Sequence, residues 1–510
     1  MSCAGRNALA PPPGRIASAS ETSVARAAGT VALGNISSRI LGLVRVTLIA
    51  TLFGATGLVS AYQVAAVVPT MVYDLLVGGM LSSALVPVFS EYAASKGREE
   101  LGRLVGAVLT LGILFISVVV LGIEVFAPTL AWLLGGGFSP GLLAVTTRAI
   151  RIVAIALFFL SLSGIVTGVL YALKRFTYPA FGAAAFNVGI IAAALLLANR
   201  LGIYSLVVGI VLGSLIQLGI QVPELRRTGI GLQLHLDPSH PGLRRLVRLY
   251  LPVMLGLLIS QIQIAIDRNL ATRTGEQSIA WMQNATTLIQ FPHGLVAVAI
   301  SLAVLPSLSQ FHALGDPIGY RRTLSLGLRL VVILTVPAAV GLFVLARPAV
   351  AAIFEHGRFT PADTYWTSLA LRYYVLGLIF AAIDWPLNYA FYARQDTVTP
   401  ALVGVLGVGA YLAAALSLMP SYGMIGLVLA DAIKHCSHAL TMLLLTYRKL
   451  GGLENRRLLS TLLTSAFLSG VMALVILAVL RWWPSIGGPG AFLSEVVLLG
   501  TAGGSGLVTY

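Results

Sequence analysis

The chain has 510 residues, of which 57% are hydrophobic and only 10% charged, and its mean hydropathy is +0.92. A soluble domain carries roughly 25% charged residues, so this composition excludes a water-soluble protein and leaves no room for a separate catalytic domain. The formal net charge of +15 is spread over short loops between apolar runs and forms no single basic patch, which excludes nucleic acid as a partner.

Residues 1–25 are rich in Ala, Ser, Pro and Gly, carry Arg6 and Arg15, and lack an apolar run before a cleavage site. They are expected to form a disordered cytoplasmic leader. The rest reads as fourteen membrane spans, centred roughly on Leu41, Leu75, Leu114, Phe159, Ile191, Val211, Leu258, Val296, Leu334, Phe380, Gly407, Ile433, Met472 and Leu498. Alternate loops are basic, with Lys96, Arg98 and Arg103, then Lys174 and Arg175, then Arg244, Arg245 and Arg248, then Arg321 and Arg322, then Arg448 and Lys449. About twenty of the lysines and arginines fall on that face and about five on the other, which places both termini in the cytoplasm.

The first span contains two arginines, Arg39 and Arg45. A guanidinium inside a bilayer is costly and marks a protein-lined path for a polar substrate. Six residues of helix separate the two by about 9 Å along the axis and roughly 120° around it. They can converge on a multi-oxygen anion such as a diphosphate or sugar phosphate, whose oxygens suit guanidinium forks. The bland alternative is that Arg39 snorkels to the interface while Arg45 makes a structural ion pair.

Asp74 in the second span is a candidate counterion for either arginine, or a coupling group. Asp267 and Arg268 in the seventh span, Gln290 in the eighth and Asp384 in the tenth are further candidates for a cavity or a coupling ion. Asp431 and Lys434 in the twelfth are three residues apart and are expected to pair on one helix face. Cys3 and Cys436 imply no disulfide framework, and the seven histidines show no metal-ligand spacing and no hydrolytic arrangement. The expectation is a transporter that is no enzyme, with no cofactor and no metal.

Comparing the chain with itself reveals a repeat. Ser82 to Tyr92 recurs as Ser301 to Phe311, at an offset of about 219. Arg151, Tyr171-Ala172 and Pro179-Ala180 recur as Arg372, Tyr392-Ala393 and Pro400-Ala401, at about 221. The unit spans the membrane an even number of times, so both copies run in the same direction, as in alternating-access transporters with a site between the halves. The expected division is a leader at 1–25, an amino-terminal lobe of spans one to six at 26–228, a carboxy-terminal lobe of spans seven to twelve at 229–450, and two extra spans at 451–510. The repeat boundary directs the substrate path between spans one, two, seven and eight. Gly78-Gly79, Pro69, Pro87, Pro292 and Pro306 interrupt the second and eighth spans, where bending or close packing is expected.

Ser38-Arg39-Ile40-Leu41-Gly42-Leu43-Val44-Arg45 followed by Phe53-Gly54-Ala55 resembles the opening of the MurJ/MviN lipid II flippases, within the multidrug/oligosaccharidyl-lipid/polysaccharide exporter superfamily. Ser83 to Pro87, Phe291-Pro292-His293-Gly294, Phe354 to Thr360 and Phe391 to Pro400 extend the resemblance over nearly the whole chain. The resemblance implies an all-α, fourteen-helix, two-lobed flippase of the bacterial inner membrane. Such a flippase carries the undecaprenyl-diphosphate-linked peptidoglycan precursor to the outer leaflet, with Arg39 and Arg45 matching the family's first-helix arginines. It also implies a groove for the lipid tail between the last two spans, membrane lipids as surroundings and cell-wall synthesis enzymes as further partners. The chain departs from the family at Val46, Ser60, Tyr73-Asp74, Gly78 and Thr286-Thr287, where charged residues are common. An exporter of another polyprenyl-linked glycan, a drug/cation antiporter of the same superfamily and a non-transporting scaffold remain alternatives at this stage.

Overall fold

A bilayer offers no water to backbone N–H and C=O groups, so each apolar run closes its hydrogen bonds within a helix. The computed structural model describes residues 13–230, 236–450, 452–482, 500, 501, 503 and 504, and these contain helices and no strand. The long helices are α1 (Pro13–Phe53), α2 (Gly57–Ser95), α3 (Gly97–Gly135), α4 (Pro140–Ala172), α5 (Gly182–Leu201) and α6 (Tyr204–Arg227). They continue as α7 (Pro241–Arg273), α8 (278–313), α9 (Pro317–Val344), α10 (Pro361–Ala393), α11 (Val398–Tyr422), α12 (Met424–Leu450) and α13 (Asn455–Trp482). Twelve of the described helices are long and apolar enough to cross a membrane. The α8 run adds Ser278–Pro292, a π-helical turn and Val298–Ala313 without a gap. The span expected around Leu498 lies outside the described residues. So does the first half of the expected leader, whereas helix α1 begins at Pro13 and takes in the rest. Proline at a first helical position and a run of Ala, Ser and Arg favour that earlier start.

The repeat is written into the backbone. Five-residue π-helical turns interrupt α2 at Asp74–Gly78 and again at Leu81–Leu85, and α8 at His293–Ala297; the first of α2 and that of α8 lie about 219 residues apart. Lys174 and Gln395, with φ of 59° and 60°, end α4 and α10 at an offset of about 221. Gly202 and Gly423, with φ of 55° and 54°, end α5 and α11 at the same offset. Helix pairs follow suit, with α2 on α4, α4 on α6 and α5 on α6 matched by α8 on α10, α10 on α12 and α11 on α12. The prolines of α2 and α8 explain the π turns in part, since each removes one donor from the ladder and lets the register slip.

One pair breaks the symmetry. Helix α1 packs along α5, where Gly34 admits the Ala180 carbonyl and Asn187 donates to the Ser38 carbonyl at 3.2 Å. Its counterpart α7 barely touches α11 and leans on α3 and the π-helical part of α2. Arg245 pairs with Glu91 at 2.6 Å, Tyr250 donates its hydroxyl to the Leu75 carbonyl, and Gly242 lies beneath Leu104 and Tyr92. Helix α13 packs on α9, with Met472 and Ile476 against Val340 and Val344 and Arg329 Nε donating to Thr461 at 2.8 Å.

The α5–α6 seam is a backbone-to-backbone approach. A Cβ on Gly189 would stand 2.4 Å from the Gly213 Cα. Gly189→Val is therefore expected to cost about 1–3 kcal/mol by overpacking. The check is the melting temperature of the purified protein in detergent, with Gly219→Ala, where a Cβ meets nothing within 4 Å, as the unchanged control.

Candidate functional site

Helix α1 exposes Leu33, Ile40 and Val44 on one side. Its opposite side turns Arg39 and Arg45 into a cavity of about 1150 Å³ walled by α1, α5 and α8. The lining includes Asn35, Ser38, Asn187, Gln283, Thr287 and Gln290 besides the two arginines, together with Val31, Leu43, Phe176, Phe186 and Leu302. No Asp or Glu lines it among the described residues. The walls differ from the expected set: α7 is drawn onto α3 and α2, and α5, packed along α1, lines the cavity beside it.

Arg39 Nη1 donates to the Gln290 backbone carbonyl at 2.9 Å, and its guanidinium lies so close to Gly294 that a Cβ there would sit 2.3 Å from Nη2. The π turn begins just beyond, at His293. A locally widened ladder leaves carbonyls with spare accepting capacity, and the missing side chain of Gly294 opens the path to one. Neither Arg39 nor Arg45 has a carboxylate within 4.0 Å among the described residues. The cavity thus carries two uncompensated positive charges, and its polar wall offers further donors and acceptors. Asn187 Oδ1 is buried without a partner.

The other candidates lie elsewhere. Asp74 opens the π turn of α2 and forms no ion pair with Arg39 or Arg45, since the turn directs it toward Gly78 and the α7 side. Asp267 accepts from the Tyr411 hydroxyl. Arg268 Nη2 donates to Gln283 Oε1 at 3.3 Å, which links α7 to the cavity wall. Asp384 meets His438 at 2.9 Å and His435 at 3.8 Å. Asp431 and Lys434 pair at 2.6 Å on one face of α12, as their spacing implies.

The motif from Phe354 to Thr360 has a role that its spacing alone did not reveal. At the end of the bundle away from the basic loops, Arg358 N–H donates to the Thr51 carbonyl at 2.8 Å. Gly357, at φ 60°, would place a Cβ 2.3 Å from that same oxygen, so only glycine passes there. The Ala280 N–H donates to Ser60 Oγ at 3.3 Å with both residues fully buried, and Gly137 N–H donates to Thr272 Oγ1 at 3.1 Å. These contacts join the two halves of the chain at this end and close the cavity there. The glycine in the motif was the available signal, because a positive φ or a close backbone approach demands it.

A family model described as lipid II flippase MurJ matches residues 49–498. The lipid II flippase MurJ of Burkholderia cenocepacia is 33% identical over 439 residues, 84% of this chain and 84% of its own. The probable lipid II flippase MurJ of Vibrio cholerae is 31% identical over 78% of each chain. In fold, the chain is similar to a solved lipid II flippase MurJ in an inward closed conformation, with a TM-score of 0.79 at 24% identity, over 94% of this chain and 97% of that one. An inward-facing multidrug resistance MATE transporter of the MOP superfamily aligns with a TM-score of 0.70 at 13% identity, over 81% of this chain and 94% of that one.

A cysteine pair at Ser60 and Ala280 is expected to form a disulfide readily under mild oxidation. The bond should trap the closed end and stop transport, with activity restored on reduction. Oxidised protein that transports at the uncrosslinked rate would show that this contact never opens.

Proposed function

This chain belongs to the lipid II flippase MurJ family, and from that premise we propose that its α1–α5–α8 cavity takes the diphosphate-linked headgroup of lipid II and carries it across the bilayer by alternating access. The observation that supports this reading is the pair of guanidiniums, Arg39 and Arg45, facing one cavity with no carboxylate to neutralise them. An anion of several oxygens supplies the missing charge and accepts several hydrogen bonds at once. Arg39 exchanges its bond to the Gln290 carbonyl for phosphate oxygens, so loading the cavity loosens a contact between α1 and α8. Sugar and peptide groups of the precursor meet Asn187, Gln283, Thr287 and Gln290.

The bias of basic loops argues for a cytoplasmic location of the cavity mouth and of both termini. Loading then takes place from the inner leaflet while the Ser60–Ala280 and Thr51–Arg358 contacts hold the far end shut. Release requires those contacts to part while the halves close at the basic end. The division into two lobes and a carboxy-terminal pair belongs to this reading, as does a tail groove beside α13. That helix presents Leu459, Leu463, Phe467 and Leu474 outward.

Arg45→Ala and Arg39→Ala are expected to weaken precursor binding by about 10- to 100-fold each, from the loss of a charge-assisted hydrogen bond. Binding of purified precursor and its export at matched protein level measure this, and normal export with Arg45→Ala would remove the cavity from the mechanism. A chain ending near Glu454 is expected to fold and insert but to lose transport of the long-chain precursor. Transport equal to that of the full chain would remove the tail groove.

A further inference from the structure

Behind the cavity wall lies a second polar cluster that anion binding does not use. Asp431, Lys434, His435 and His438 occupy positions i, i+3, i+4 and i+7 of α12, so they form a single polar stripe within the membrane. The stripe faces Asp384 of α10, only 8% exposed, whose Oδ1 lies 2.9 Å from His438 Nδ1 and whose Oδ2 lies 3.8 Å from His435 Nδ1. The other ring nitrogen of His435 lies 3.8 Å from Asp431 Oδ2. From α7, Asp267 and Arg268 stand within electrostatic reach, Asp267 acting on Asp431 and Lys434 and held by Tyr411 of α11. Tyr374 of α10 is within electrostatic reach of Asp267 and Asp431. From α8, His293 faces His435 and Asp384, with Arg39 of α1 beyond it.

The formal charges decide what such a cluster can hold. Three carboxylates, Asp267, Asp384 and Asp431, face two permanent cations, Arg268 and Lys434. With the imidazoles neutral one negative charge is left over in a medium that penalises it, and one added proton removes it. His293 is a poor recipient, because its Nε2 accepts from the Trp385 indole N–H at 3.1 Å and an indole can only donate. His435 and His438 each face a carboxylate instead. Among the described residues no group of three or more His, Cys, Asp and Glu side chains has a metal-holding arrangement.

We propose that His435 and His438, set against Asp384, form a site for one proton whose occupancy is coupled to movement of the precursor, an inference that rests on the flippase reading above. The proton adds to a ring-nitrogen lone pair from water on one side and leaves to water on the other, so no other bond is made or broken. The protonated imidazole ties α12 to α10 through Asp384. The next residue, Trp385, holds His293, which opens the π turn of α8; Arg39 meets Gly294 in that turn and the Gln290 carbonyl just before it. Arg268 makes a second link from the cluster to the cavity through Gln283. Proton and precursor therefore act on one seam, α8 against α10, from opposite sides.

The full chain in vesicles of bacterial phospholipid provides the test, with labelled lipid II as probe. One coupled proton and a gradient of about one pH unit shift the steady-state leaflet ratio of the precursor about ten-fold, with the sign giving the direction of exchange. His435→Gln/His438→Gln is expected to abolish that shift while binding lipid II within about two-fold of the parent, since the imidazoles lie outside the cavity lining. Imidazole nitrogen NMR on the detergent-solubilised chain reads the proton without transport. One ring should show a change between its neutral and protonated forms, and Asp384→Asn should remove that change. A leaflet ratio indifferent to the gradient, a double variant that keeps the response, or rings that never titrate would each overturn the proposal. Rings that titrate in a chain that moves no precursor under any gradient would overturn the flippase reading and leave the proton site standing.

Discussion

An arginine inside a membrane must find acceptors, and the structure around the cavity follows from how Arg39 finds one. Its guanidinium reaches the Gln290 carbonyl across the gap between α1 and α8. That contact requires a helix loosened by a π turn and a neighbour, Gly294, with no side chain. A backbone carbonyl is a neutral acceptor, so the bond satisfies geometry without cancelling charge. Arg45 lies in the same cavity without a carboxylate partner. The protein thus holds two cations in one cavity without an acidic partner, and their charge is left uncancelled in a medium that penalises it.

The same use of backbone shapes the far end of the bundle. Gly357, Gly137 and Ser60 let the two halves meet through main-chain groups. Each hydrogen bond is worth about 0.5–1.5 kcal/mol net, and the contacts sit in an apolar core shared by both halves, with Val59, Ala61, Ala280 and Phe354 buried. The hydrogen bonds fix the register in which the two halves meet, and the apolar core supplies the burial around them. The symmetry-breaking helix α7 belongs to this design. By leaning on α3 and α2 it vacates the side of the carboxy-terminal half that faces the cavity.

At the first positions of the matched pair of π turns, the repeat places Asp74 in α2 and His293 in α8. Equivalent backbone breaks have received different chemistry. Asp74 stays on the α7 side, whereas His293 connects α8 to Trp385 and the charged stripe of α12. The carboxy-terminal half therefore carries most of the intramembrane ionisable groups, and the amino-terminal half carries the two cavity arginines.

Membrane class, helical architecture, the repeat and the presence of two arginines within one span, Arg39 and Arg45, were legible in the sequence. They rest on local or additive properties: hydropathy over a span, loop charge, self-similarity and the cost of a guanidinium in lipid. The Asp431–Lys434 pair was legible for the same reason, as neighbours on one helical face. Tertiary structure alone decided which helices wall the cavity, that Asp74 neutralises neither arginine, and that Asp384 meets two histidines more than fifty residues away. It also assigned Gly357 and Ser60 to the closed end. These depend on how whole helices lean on one another, as α7 does on α3, and a one-dimensional pattern carries no information on the angle at which two apolar faces pack.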